Sequence, residues 1–396
     1  MINQLKKYAH IVLVFHPEMG YDVNMILQHN NGKYEQYLIT SADVSIWNET
    51  PESIKEKDLK FEKDNGVKII RLPYFKPKKK NLTPLFWGLK KTIKAIKPDI
   101  SFVHGIESYA YAFGILSVFK YSRLFLCDTH TLYNQFSSMT MPIKLYINRF
   151  LKPRIINKIN TNPQKVLAFY TAKENKSIMT EFLGINKSLV FDNEISTNFN
   201  TFFHQIDVGL KQTLSILDNE LVLMYIGKFD AFKQPHIILD AIQIAAKKID
   251  KPIHLILGGP KIPSYFDAYF NKESIDGLAI KTTILPPIDN KLLYKYYSLA
   301  YCLIIPKFNS LSSLDAQACK TPVIMENDET NADRLKKGGL LYESGNMEDL
   351  AQKIVSLCNN PQLRNDLAEN GYYYVQQHFD YCVKVDRMNE MIEEKL

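Results

Sequence analysis

Leu221-Val222-Leu223-Met224-Tyr225-Ile226-Gly227-Lys228-Phe229-Asp230-Ala231-Phe232-Lys233-Gln234-Pro235 is the stretch from which the fold is read. An apolar strand, Leu221–Ile226, ends in Gly227, and a polar loop with two lysines then leads into a helix over His236–Lys248. The unit recurs. His254–Leu257 ends in Gly258-Gly259, and strands are expected at Thr282–Leu285, Leu303–Ile305 and Pro322–Met325, with helices around Lys291–Leu299 and Met347–Leu357. Short apolar strands alternating with longer helices are the pattern of a parallel α/β domain.

The first half repeats the pattern. Ile11–Phe15 reads as a first strand, ended by His16-Pro17-Glu18-Met19-Gly20. Further strands are expected at Tyr37–Thr40, Val67–Leu72, Ile100–Val103, Leu124–Cys127 and Val166–Phe169. Leu85–Ile96 reads as a helix, because Phe86, Leu89, Ile93 and Ile96 recur at helical spacing, and Pro98-Asp99 stops it. A polar, strandless region around Asn193–Gln212 separates the two series. The expected domains are therefore residues 1–200 and 201–380, with a final helix over 381–396 crossing back to the first. Two Rossmann-like domains with a cleft between them follow, with ligands beyond the carboxyl ends of the strands.

The chain has 396 residues, enough for two or three domains. Its composition, 46% hydrophobic and 23% charged, is that of a soluble globular protein. The longest largely apolar stretch, about Ala110–Phe119, falls far short of the ~20 residues of a membrane span. Met1–His10 leads into only a short apolar run, so no signal peptide is expected. The five cysteines are widely spread and suit buried thiols in a reducing cytosol rather than a disulfide framework or zinc site. Charge is uneven: residues 1–200 hold 28 Lys and Arg against 17 Asp and Glu, a net +11, and residues 201–396 hold 21 against 25, a net −4.

Several chemistries lose their support. There is no Gly-x-Gly-x-x-Gly, no Gly-x4-Gly-Lys-Ser/Thr, no Gly-x-Ser-x-Gly, no His-Glu-x-x-His and no Cys-x-x-Cys. No Asp-x-Asp is present to hold a divalent metal on a nucleotide sugar, so any phosphate must be met by Lys, Arg and helix amino termini. Lys228 and Lys233, five apart on a loop entering a helix, can both reach one diphosphate, or can be two solvated lysines. The serine-rich turn Ser310-Leu311-Ser312-Ser313 opens a second helix, where amides near Ser312 and Ser313 suit an anion and Asp315 suits ribose hydroxyls. Asp315 can equally be a residue that favours a helix start.

The order of the parts carries more than any one of them. The Gly-Lys…Lys loop, a strand ending in Gly-Gly-Pro, the run Leu285…Asp289…Leu293…Tyr301, then Pro306, Asp315-Ala316-Gln317-Ala318-Cys319, Thr321-Pro322-Val323-Ile324 and Gly338-Gly339-Leu340-Leu341 resemble the family 4 retaining glycosyltransferases. The resemblance is strong over most of residues 220–380 and looser before them. It implies the GT-B fold, two Rossmann-like domains facing each other across a cleft. A nucleotide sugar, with UDP as the expected base, would be held mainly by the second domain and an acceptor mainly by the first. By position, Lys228 replaces the family's usual arginine and Lys233 matches its lysine, both toward the donor diphosphate, with Gly227 beside them. Asp315 matches the second glutamate of Glu-x7-Glu, and the first falls at Lys307, on a shortened loop. Either the donor sugar is read differently here, or activity is weakened or lost. His104, in Lys97-Pro98-Asp99…His104, matches the active-site histidine. Gly20 matches the glycine-rich loop near donor and acceptor, and His130 is an acceptor-side candidate.

The expected activity is retaining transfer of a hexose-type sugar to a carbohydrate or lipid-linked glycan, without a metal or other cofactor, in surface polysaccharide or glycoconjugate biosynthesis. Alternatives are a degenerate GT-B binding or assembly partner and a sugar-nucleotide epimerase. Two basic stretches, Lys76–Lys94 and Met141–Lys158, mix lysines with bulky apolar residues. They suit an anionic membrane surface at the inner face of the membrane, or are core helices with solvated lysine faces. A nucleic-acid partner is not expected, for want of any binding motif.

Overall fold

Apolar runs too short for helices pair into two separate parallel sheets in the structure, a computed structural model that describes residues 5–47, 49–75, 85–130, 141–278, 280–308 and 310–396. The chain divides into two compact units, residues 1–195 with 382–396, and residues 196–381. In the first, strands β1 (Lys7–Ile11), β2 (Glu35–Ser41), β3 (Val67–Leu72), the two-residue β4 (Tyr74–Phe75) and β5 (Leu85–Phe86), β6 (Ile100–Val103), β7 (Leu124–Thr129), β8 (Val166–Tyr170) and β9 (Val190–Asp192) occur in order. The second holds β10 (Leu221–Ile226), β11 (Ile253–Gly258), β12 (Lys281–Leu285), β13 (Cys302–Ile305), β14 (Val323–Glu326) and β15 (Gly339–Tyr342).

The first sheet runs β3-β2-β1-β6-β7-β8-β9 and the second β12-β11-β10-β13-β14-β15, all parallel; β4 and β5 form a small antiparallel ribbon. Each sheet reverses its order once, between β1 and β6 and between β10 and β13. At such a reversal the flanking helices leave on opposite faces, which opens a crevice at the carboxyl ends of those strands.

Two sequence expectations shift. The first strand is Lys7–Ile11, not Ile11–Phe15. Tyr8–Ile11 pair with both β2 and β6; Val12 and Leu13 keep single backbone bonds to Ile39 O and the Ser41 amide, and Val12–Val14 line a cavity. The helix expected from Leu85 begins at Leu89, because Leu85–Phe86 pair with Tyr74–Phe75 and Gly88, at φ 96°, turns the chain into it. The Lys76–Lys80 run lies outside the described residues. Met141–Lys158 is a core helix: Ile147, Leu151, Ile155 and Ile156 are buried in the first unit, and Arg154 stacks on the Phe150 ring at the surface.

The helix Tyr381–Lys395 belongs to the first unit through nearly all its length. Asn389 donates to Asn30 at 2.8 Å in a buried contact, Lys384 pairs with Asp192 at 2.9 Å, and Asp386 meets His29 and Lys33. All five cysteines are free thiols, four of them buried.

In the second unit, Gly258 and Gly259 close β11 against the loop that leaves β10. Gly259 has φ 140°, and a Cβ there would stand 2.0 Å from the Gly227 carbonyl oxygen. Only glycine allows these two backbones to lie so near. The Gly227 amide donates to Gly258 O at 2.9 Å and Phe229 to Pro260 O at 2.8 Å, so the lysine loop is registered on its neighbour strand.

Candidate active site

The lysine loop is built around Asp230. Its Oδ1 accepts from the amides of Phe232 (3.0 Å) and Lys233 (2.8 Å), and its Oδ2 lies 3.4 Å from Lys228 Nζ. Tyr225 OH donates to Lys228 O at 2.7 Å and fixes the loop from below. Lys228 is half exposed, and its charge is shared with Asp230. Lys233 is less exposed, and burial pulls its ammonium below the usual lysine range; Asp230 pulls it back and Arg334 pushes it further down. An ammonium in that state gains from any anion that settles beside it.

Arg334, on the short helix Glu329–Arg334, is a residue the sequence reading missed. It is buried, its Nη1 donates to Ser310 O at 3.3 Å, and its charge is felt by both Lys233 and Asp315. A lone arginine in a polar stretch gives no periodic signal; only the fold brings it to the serine turn.

The serine turn differs from expectation in detail. The Ser312 amide donates to Ser310 Oγ (3.3 Å), the Ser313 amide to Ser310 O (3.2 Å), and Ser313 Oγ to the same carbonyl. Those amides are used within the turn rather than held out to an anion. Asp315 is buried and accepts from Thr197 Oγ1 at 2.6 Å. Lys307 is locked to Glu326 and Ser344, and Glu326 also takes the Phe308 amide at 3.3 Å. Where the resemblance implies a free glutamate, the molecule has an engaged lysine–glutamate pair from two adjacent strand ends.

Burial lifts the Asp315 carboxyl from 3.8 to about 7, against the opposing pull of Thr197 and Arg334. A raised acid contributes stability that is present below its unfolded value and lost as pH rises through about 7. Asp315→Asn, whose amide oxygen can still accept from Thr197, is therefore expected to stabilise the second unit by about 1–3 kcal/mol near pH 8. Little gain is expected near pH 4. Thermal melts across that range check it, since the variant should lose the downward slope of the parent.

In the first unit, β6 and β7 deliver His104, Asp128 and His130 to one place. The His104 amide donates to Ile11 O at 2.9 Å, and Tyr111 OH donates to His104 O at 2.7 Å, so the backbone is fixed from two sides. Gly105, at φ 71°, turns its amide onto Asp128 Oδ1 at 2.7 Å. Asp128 Oδ2 faces His104 Nδ1 at 2.8 Å and His130 Nε2 at 3.4 Å. His104 Nε2 faces His10 Nδ1 at 3.1 Å. The Asp128 carboxylate accepts from His104 Nδ1, and the charged form of His10 is disfavoured by burial and by its neighbour His104.

A cavity of about 570 Å³ opens over this network, lined by His104, His130, Asp22, Glu107, Tyr109 and Ile143 among others. His104 thus reaches the cavity with both ring nitrogens already engaged. His130 is the more open imidazole. Desolvation opposes its charge, but Asp128 outweighs that and lifts it to about 9, with help from Asp22 and Glu107. Asp128 is itself held well below the usual carboxylate range, because His130 and His104 outweigh its burial. Asp22 Oδ2 is buried and has no hydrogen-bond partner among the described residues; burial raises this acid while His130 and His104 oppose the rise. Gly20 is exposed on the loop before the helix Asp22–His29, and its neighbour Tyr21 lines the cavity. The ligand atoms of His104, Asp128 and His130 lie within 4.8 Å of one another, close enough for a metal ion, though hydrogen bonds already link them. His10, Asp22 and Asp128 were not singled out from sequence.

Comparison with known proteins follows the same division. Residues 210–373 match the family of glycosyl transferases group 1. D-inositol 3-phosphate glycosyltransferase of Rhodococcus opacus (strain B4) is 29% identical over 160 residues, 38% of this chain and 36% of that relative. The match thus spans little more than a third of the relative's length. Among solved structures, a glycosyltransferase from Rickettsia africae ESF-5 superposes with a TM-score of 0.74 at 16% identity, over 99% of both chains. Anabaena Alr3699/HepE in complex with UDP gives 0.74 at 14% identity, over 98% of this chain and 100% of that one. Residues 210–373 are thus a glycosyl transferases group 1 domain, in a chain whose fold is GT-B.

Proposed function

We propose that this protein is a retaining glycosyltransferase that moves a hexose-type sugar from a UDP donor to a carbohydrate or lipid-linked glycan, without a metal. The observation that carries the reading is the lysine loop of the second unit. Lys233, destabilised as a cation by burial, stands with Lys228 at the carboxyl end of β10, inside the matched group 1 segment. A diphosphate there restores Lys233, and both lysines stabilise the charge that grows on it as the sugar bond breaks. A diphosphate oxygen then accepts the proton of the attacking hydroxyl on the same face. That HepE was solved with UDP supports the choice of base.

Thermal shift against UDP, UDP-sugars and GDP-sugars, each with and without Mg²⁺, tests this. At about a hundredfold excess over Kd the matching nucleotide adds about 2.7 kcal/mol, a rise of about 5 °C or more. The shift should persist in chelator. No response to any nucleotide, or a response only with Mg²⁺, contradicts the proposal. One observation favours a degenerate binding protein instead: the engaged Lys307–Glu326 pair at the sugar-reading position. A UDP-sugar that binds but is never transferred or hydrolysed would decide for it.

A further inference from the structure

The first unit carries an aromatic cluster on its surface. Phe75 is 62% exposed, Trp87 61% and Phe113 56%, and the Trp87 and Phe113 rings meet edge-on at 5.4 Å. The cluster is fixed. The Trp87 amide donates to Pro73 O at 2.8 Å, which holds it beside the β4–β5 ribbon, and Tyr74, also exposed, belongs to the same ribbon. From Trp87 the helix Leu89–Ile96 buries Leu89, Ile93 and Ile96 and leaves Lys90, Lys91 and Lys94 exposed. Lys94 follows Lys91 by three residues and Lys90 by four, so the three lysines share one face of the helix that begins just after Trp87.

Charge around the cluster has one sign. Residues 85–98 and 109–124 contain Lys90, Lys91, Lys94, Lys97, Lys120 and Arg123 and no carboxylate. Asp99, which follows the first segment, already takes the Lys7 amide at 2.9 Å and lies 3.6 Å from Arg123. The apolar part of the face is small. Three large rings at the observed exposure offer roughly 350 Å², well short of the ~800 Å² per partner of a stable protein interface. A second copy of the chain would also meet these lysines with its own. Aromatic rings rimmed by lysines fit the headgroup level of an anionic bilayer, where rings seat among the acyl boundary and ammonium groups meet phosphate.

We propose that this face, centred on Trp87 and Phe113 and flanked by Lys90, Lys91 and Lys94, docks the protein on the surface of an anionic lipid bilayer. Among the described residues no helix is long and apolar enough to cross a membrane, so the contact is one of lying on the surface. Both elements are needed, because one weak signal alone gives only marginal attachment. The inference does not depend on the glycosyl-transfer reading.

The test uses the full chain with phosphatidylcholine vesicles, alone or mixed with phosphatidylglycerol. Sedimentation with the mixed vesicles, little with phosphatidylcholine alone, and loss of binding at high salt are expected. Trp87 emission should shift to the blue on binding; Trp47 is the only other tryptophan, so Trp87→Phe should abolish the shift. Trp87→Ser/Phe113→Ser, and separately Lys90→Ser/Lys91→Ser/Lys94→Ser, should each weaken partitioning at least about tenfold. All these side chains are exposed, and circular dichroism melts verify that the variants fold. Equal binding to both vesicles, no binding to either, or vesicle-independent self-association lost in Trp87→Ser/Phe113→Ser would overturn the proposal.

Discussion

Lys233→Ala is expected to lower kcat/KM for glycosyl transfer about 10²–10³-fold while the melting temperature moves by no more than about 2 °C. The two effects separate because of how the loop is built. Its shape depends on Asp230, which takes the Lys233 backbone amide, and on Tyr225 beneath Lys228; neither contact involves the Lys233 side chain. Desolvation already disfavours the ammonium, so its loss relieves the folded state as much as it costs it. In the reaction the same cation offsets charge that grows only as the diphosphate leaves, so the loss should fall on kcat more than on KM. Lys228→Ala should cost less, since Lys228 is half exposed and pairs with Asp230. Steady-state kinetics with a UDP-sugar decide the matter. Undiminished turnover in Lys233→Ala would remove the diphosphate assignment.

Asp128→Ala should be the most destabilising single change near the first unit's cavity, by about 3–5 kcal/mol. Asp128 is fully buried and answers three donors at once: the Gly105 amide, His104 and His130. Its removal strands a backbone amide in the left-handed turn at Gly105 and two imidazoles whose protons it assigned. Asp128→Asn keeps the shape but turns an amide donor toward another donor, so a smaller loss is expected. The pH dependence has a definite sign. An acid held low in the folded state stabilises above its unfolded value and loses that contribution as pH falls through the folded one. The parent should weaken in acid by more than Asp128→Ala does. A two-unit chain need not melt in one step, so calorimetry should show one transition displaced and the other unmoved. Equal displacement of both would argue against this account.

The strands were legible because a buried parallel strand must be apolar over its length, and Val67–Leu72, Ile100–Val103 and Leu221–Ile226 begin and end where their sequence says. The first strand was not, because Val12–Val14 are as apolar as a strand but lie past its end, where Val12 and Leu13 pack on the core and all three line a cavity. Within the candidate site, the lysine loop could be read since its parts lie within seven residues of Gly227. The network around His104 could not. His10, His104 and Asp128 come from three strand ends, and the first two, 94 positions apart, carry no mark of their meeting. Ser312 and Ser313 were legible as a helix start but not as amides already satisfied by Ser310, a matter of turn geometry.

The return of residues 382–396 to the first unit has a consequence for the order of assembly. Residues 196–381 are contiguous and are complete in the growing chain before the helix that finishes the first unit has been made. Domains synthesised first commonly fold first. Here the earlier-made sheet lacks its last helix, and Asn30 its buried partner Asn389, until residues 382–396 have been made.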